Sequence, residues 1–76
     1  MEQKILDLIY EVCDDDIIYK KKDVNMFETG LLESMDFIEL LMNIEEEFDI
    51  EIAPEDIKKD EMATPNMLVA FIQARL

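Results

Sequence analysis

The stretch Ser34-Met35-Asp36-Phe37-Ile38-Glu39-Leu40-Leu41-Met42-Asn43-Ile44-Glu45-Glu46-Glu47-Phe48 decides the fold of this 76-residue chain. Its apolar residues recur every three or four positions, which is the period of a helix face. Phe37, Leu41, Ile44 and Phe48 form one stripe. Met35, Ile38 and Met42 form a second on another face, bordered by Glu39, Glu45 and Glu46. Ser34 precedes the run as a helix N-cap, and Asp36 and Glu39 lie early in the helix, where its dipole favours acids. One stripe faces a core. The other is either a surface for a partner, since an exposed apolar strip rimmed by charge marks an interaction site, or a consequence of a central helix being apolar on most sides.

Outward from this helix the same period returns twice. Ile5, Leu8, Ile9 and Val12 predict a helix over about 2–14, with Leu6 and Cys13 beside its apolar face. Leu68, Phe71, Ile72 and Leu76 predict a last helix, opened by Thr64 as cap and Pro65 as first residue. Pro54-Glu55-Asp56 opens a short helix to about Lys59. Residues 15–33 show no sustained period and read as a long loop, anchored by Ile18, Phe27 and Leu31, with the lone Gly30 marking a turn of positive φ or a close backbone approach. Asp49-Ile50-Glu51-Ile52 alternates but is too short and isolated for a sheet. The expected fold is all-α: four helices in one domain spanning 1–76, with a long loop between the first and second and a short third.

Composition narrows the chemistry. Twenty acids against seven Lys and Arg give a net charge of −13, and half the residues are apolar. That charge repels nucleic acid and anionic lipid and favours basic protein partners. The apolar content is too high for a disordered acidic tail. The longest apolar run, Met67 to Ile72, is far short of a membrane span, and the N-terminus lacks the basic start and apolar stretch of a signal peptide. With no His, Ser-His-Asp and Cys-His catalysis and His-containing zinc sites are absent; with one Cys, so are internal disulfides and four-thiolate sites. The lone thiol suits a reducing, cytoplasmic setting. Asp14-Asp15-Asp16 lacks the alternating spacing, Gly and later Glu of a calcium loop, so no specific metal site is expected, and only loose divalent binding to the clustered carboxylates is left open. Cys13, on an apolar face and before three carboxylates, reads as a small core residue with a raised thiol pKa.

No Lys stands near Ser34 in sequence to serve as a base, and Gly-x-Ser-x-Gly is absent. Intrinsic catalysis is not expected. Ser34 follows a loop and a Gly turn at a helix start. A phosphate there would be stabilised by the amides of the first turn, whereas most serines in such a place only cap the helix.

The block Gly30-Leu31-Leu32-Glu33-Ser34-Met35-Asp36, with Ile38-Glu39-Leu40-Leu41-Met42 and Glu45-Glu46-Glu47-Phe48, resembles the 4′-phosphopantetheine attachment region of acyl carrier proteins. The resemblance extends over nearly the whole chain in length, acidity and helix order. Glu11-Val12-Cys13, Phe27-Glu28-Thr29-Gly30-Leu31-Leu32 and Asp60-Glu61-Met62-Ala63-Thr64-Pro65-Asn66 are most similar to the D-alanyl branch of that family. Glu33 stands where Asp is usual, Met62 where that branch tends to have Trp, and Phe37 where a small Thr is common.

The resemblance implies that Ser34 carries 4′-phosphopantetheine, whose thiol holds an acyl group, D-alanine for teichoic-acid D-alanylation, as a thioester. A fatty, polyketide or peptide acyl group is the alternative, and an unmodified acidic interaction module a further one. It also implies a partner face of Glu33, Met35, Asp36, Ile38, Glu39, Met42, Glu45 and Glu46, with Phe37, Leu41, Ile44 and Phe48 inward. The implied partners are a phosphopantetheinyl transferase, a D-alanine-activating ligase and membrane-bound acyl-transfer machinery. The chain itself is expected to be a non-catalytic, cytoplasmic monomer.

Overall fold

The computed structural model describes residues 2–76 and is all-helical among them. Helix α1 spans Glu2–Cys13, α2 Ile17–Lys20, α3 Ser34–Phe48 and α4 Pro65–Gln73; two 3-10 turns, Pro54–Asp56 and Lys59–Glu61, lie between α3 and α4. Helix α1 is the hub and packs against the other three. Its buried residues Ile5, Leu6, Leu8 and Ile9 occupy more than a single stripe for that reason. Packing against several neighbours requires a wide apolar arc.

The inner face of α3 is Phe37, Leu40, Leu41 and Ile44, all buried. Leu40 joins the core although the stripe read from the sequence omitted it, and Phe48 is only half-buried at the helix end. Leu68, Val69 and Ile72 supply the buried face of α4. No side-chain polar atom is buried without a hydrogen-bond partner among the described residues. The fold rests on apolar packing, which is the dominant favourable term for a domain of this size.

Segment 14–33 departs from the expectation of an unbroken loop. Ile17–Lys20 forms a helical turn, introduced by the Asp15 carboxylate, which accepts from the Ile17 N–H at 3.0 Å. The anchors also shift. Ile18 is fully buried as expected, but Phe27 and Leu31 are half-buried, and Met26 and Leu32 take the interior positions beside them. Backbone bonds fix that register: Met26 N–H donates to Ala63 O at 2.7 Å, Leu32 N–H to Met26 O at 2.9 Å, and Asn66 N–H to Lys22 O at 2.9 Å. A loop thus satisfied through its backbone behaves as a packed element.

The helix expected over 54–59 is instead the 3-10 turn Pro54–Asp56, followed by an extended pair and the second turn. Pro54 pre-sets the first turn, but Ile52 and Met62 must both reach the core from this short stretch. Residues 54–61 between them are all exposed, so a continuous helix there would bury no face against the core. Helix ends differ from the expectation too. Asp14 and Asp49 leave α1 and α3 in left-handed conformation, at φ 54° and 53°. Asp tolerates this region better than most residues. Helix α4 stops at Gln73 rather than running to Leu76.

Candidate functional site

The loop before α3 is built to deliver Ser34 at an exposed helix start. The Asn25 carboxamide oxygen accepts from the N–H groups of Phe27 and Glu28, each at 3.0 Å, and Thr29 Oγ1 donates to Asn25 O at 2.8 Å. This side-chain turn closes the loop tightly. Gly30 then takes φ 79°, a conformation a side chain would strain. The chain leaves it with Leu32 buried, which turns Glu33 and Ser34 outward.

The helix cap is Glu33, with extended backbone, rather than Ser34, which is the first helical residue. Asp36, three residues into the helix, accepts from the Glu33 N–H at 3.1 Å, as in one half of a capping box. This correction has a chemical meaning. A serine at the cap would turn its hydroxyl back onto the helix amides. One position later, Ser34 Oγ is released from capping. Among the described residues its one hydrogen-bond partner is Lys59, whose Nζ donates to it at 2.7 Å. Lys59 Nζ also lies 5.6 Å from the centroid of the Phe27 ring, and Phe27 meets Phe37 edge-on at 5.2 Å. Sequence reasoning missed Lys59, 25 residues from Ser34. Only the fold brings the 3-10 turn to the start of α3.

Beside Ser34 runs the outer face of α3. Met35, Ile38 and Met42 are 82%, 57% and 59% exposed. With Asp36, Glu39, Asn43 and Glu46 they line an open groove. Glu33, Glu39 and Glu46 are exposed. Asp36 and Glu45 lie on the same helix but are half-buried, and both carboxylates are engaged: Asp36 with the Glu33 amide, Glu45 with the Ile52 N–H at 3.0 Å. Of the predicted face, these two acids do local structural work as well.

The remaining nucleophiles lie elsewhere. Cys13, at the end of α1, has its thiol pKa raised, first by burial and further by the Asp15 and Asp14 charges, so little thiolate forms near neutrality. The Tyr19 hydroxyl donates to Asp7 at 2.6 Å, across α2 and α1. No group of three or more potential metal ligands clusters among the described residues, and no described helix is long and apolar enough to cross a membrane.

A small helical domain that presents one exposed serine at a helix start, beside an apolar groove rimmed by acids, is an acyl-carrier-like bundle. Comparison with known proteins agrees. The sequence profile of the phosphopantetheine attachment site family matches residues 3–72. The chain is 41% identical over 72 residues to the D-alanyl carrier protein of Bacillus cereus strain B4264, covering 95% of this chain and 91% of that one. The same figures hold for the D-alanyl carrier protein of Bacillus anthracis strain CDC 684. The chain therefore belongs to the phosphopantetheine-attachment carrier family, whose cofactor is covalently bound 4′-phosphopantetheine.

The residues present fit that group. The Ser34 hydroxyl is exposed, a cation stands beside it, and both lie at the N-terminal end of α3, where the helix dipole favours an anion.

Proposed function

We propose that the chain, as a single carrier domain, holds D-alanine as a thioester on a 4′-phosphopantetheine arm at Ser34, for the D-alanylation of teichoic acids. The observation that carries the attachment point is Ser34 Oγ, exposed at the first residue of α3 and free of the cap. The likeness to D-alanyl carrier proteins over 95% of the chain supports the acyl group.

In this reading a phosphopantetheinyl transferase uses Ser34 Oγ as nucleophile toward the coenzyme A phosphorus that bears pantetheine. The oxygen–phosphorus bond to Ser34 forms, the bond to 3′,5′-ADP breaks, and the hydroxyl proton passes to a base on the transferase. The bound arm would supply a terminal thiol, to which a D-alanine-activating ligase would transfer the D-alanyl group from its adenylate; the sulfur–carbon bond of the thioester forms, the acyl–phosphate bond breaks and AMP leaves. Delivery to membrane-bound acyl-transfer machinery follows, with loading in the cytoplasm. The chain's own residues present Ser34 and offer partners a face. Met35, Ile38 and Met42 give apolar contact, and Glu33, Glu39 and Glu46 meet basic surfaces, with Asp36 and Glu45 at its edge. Tethering confines the acyl group near these partners at high effective concentration.

The test is intact mass after incubation with coenzyme A and a promiscuous transferase, then with D-alanine, ATP and the ligase. The wild type gains one phosphopantetheine and then one alanyl group, and Ser34→Ala gains neither. A gain on Ser34→Ala would overturn the attachment point. Modification without alanylation, but with acylation by fatty-acid, polyketide or peptide partners, would overturn the choice of acyl group.

A further inference from the structure

Lys59 is placed as though an anion were missing. In a chain of net charge −13 it makes no ion pair with a carboxylate among the described residues. Its ammonium instead donates to a neutral hydroxyl, Ser34 Oγ, at 2.7 Å. The placement is supported from below. The Lys59 backbone opens the 3-10 turn Lys59–Glu61, whose next residue, Met62, is fully buried and donates its N–H to Lys59 O at 3.1 Å. The ammonium also faces the Phe27 ring, which packs on the buried Phe37. A ring face within about 6 Å attracts a cation. Two contacts that begin in the core thus hold one positive charge at the hydroxyl.

We propose that Lys59 is a positioning residue for the arm: once Ser34 is modified, its ammonium pairs with the unesterified phosphate oxygens and fixes the base of the arm on the Phe27 side of the helix start. The inference rests on Ser34 as the attachment residue. Phosphorus then lies one covalent bond from Oγ, so its free oxygens come within reach of Nζ with little movement. Charge-assisted bonds to phosphate are stronger than the bond to a neutral hydroxyl that they replace. The same pairing offsets the cost of adding an anion next to Glu33 and Asp36.

The experiment converts wild type, Lys59→Gln and Lys59→Arg to the modified form, with intact mass confirming one phosphopantetheine on each and none on Ser34→Ala. Thermal unfolding is then followed before and after modification. The wild type holds or gains Tm on modification. Lys59→Gln loses about 2–4 °C on the same step, the size expected for an exposed charge pair in a small domain. Lys59→Arg behaves as wild type. An equal shift in wild type and Lys59→Gln would overturn the inference. A second readout needs no variant: the Nζ resonance of Lys59 moves when the wild-type protein is modified, and an unmoved resonance would overturn it. Mass gained without either signature removes the role of Lys59 alone. No mass gain on wild type removes the attachment reading and this inference with it.

Discussion

The two faces of α3 are both apolar and end in opposite places. Inward lie Phe37, Leu40, Leu41 and Ile44, and outward lie Met35, Ile38 and Met42. Hydrophobicity does not separate them. What separates them is the presence of α1, which covers one side and leaves the other open. Residue choice follows that difference. The inner face uses an aromatic and branched side chains that lock into a packed interior. The outer face uses two methionines, whose unbranched chains repack against different partners, with Glu39 and Glu46 exposed beside them. One helix holds the fold together on one side and leaves an apolar, acid-rimmed face open on the other, the face proposed above for partners.

The largest expected effect breaks the inner side. Phe37→Ala removes a ring that is 2% exposed and in edge-on contact with Phe27. Truncating a buried Phe costs about 3–5 kcal/mol, a large part of the total stability of a domain this small. Urea unfolding is expected to show a midpoint lowered accordingly, with the start of α3 loosened through Phe27. The matching change outside, Met42→Ala, is expected to leave stability within about 0.5 kcal/mol. Equal losses from the two would mean that the outer face is part of the core.

Charge sharpens the comparison from the other direction. Glu39→Lys is expected to leave folding intact and to weaken binding to a basic partner by about 1 kcal/mol, roughly fivefold in Kd, mainly through slower association. Salt should then move the two functions of α3 oppositely. Screening twenty acids relieves self-repulsion in the folded chain, so Tm rises with ionic strength. The same screening weakens partner binding. Melting and binding measured across one salt series check both signs, and a flat melting response would remove self-repulsion as a factor in stability.

How much of this was legible in the sequence depends on the distance over which each feature is decided. The inner and outer stripes of α3 were readable because helical period is local. So were the Gly30 turn and the Thr64-Pro65 start of α4, where Thr64 Oγ1 does accept from Met67 N–H at 3.1 Å. Features decided by several elements at once were not readable. Met26 and Leu32 replaced Phe27 and Leu31 as full anchors because the loop's register is set by its bond to Ala63. The helix expected at 54–59 became 3-10 turns because residues 54–61 are all exposed, leaving a helix no face to pack on the core. Leu40, by contrast, was legible though omitted: it stands three residues after Phe37 and four before Ile44, a spacing that places it on the inner face. Ser34 and Lys59 illustrate both cases in one site: the serine is announced by its own neighbours, the lysine only by the fold.

The smallest effect tests the rule that exposed polar contacts hold little of this fold. Tyr19 on α2 donates to Asp7 on α1 at 2.6 Å, far from both faces of α3 in sequence. That bond, with desolvation and the Asp7 charge behind it, pushes the Tyr19 hydroxyl up to about 12. The folded-state value lies above the unfolded one. The bond's contribution is therefore fully present below about pH 10 and is lost as pH rises through about 12. Because the pair is exposed, solvent screening keeps that contribution small. Tyr19→Phe should lower Tm by about 2 °C at most at neutral pH. The gap from wild type should narrow between pH 10 and 12, and the phenolate absorbance step near pH 12 should vanish in the variant. A Tm loss at neutral pH as large as that of Phe37→Ala would mean that α2 is fastened to the hub by this one bond rather than by the buried Ile18, and the division of labour between buried and exposed contacts would not extend beyond α3.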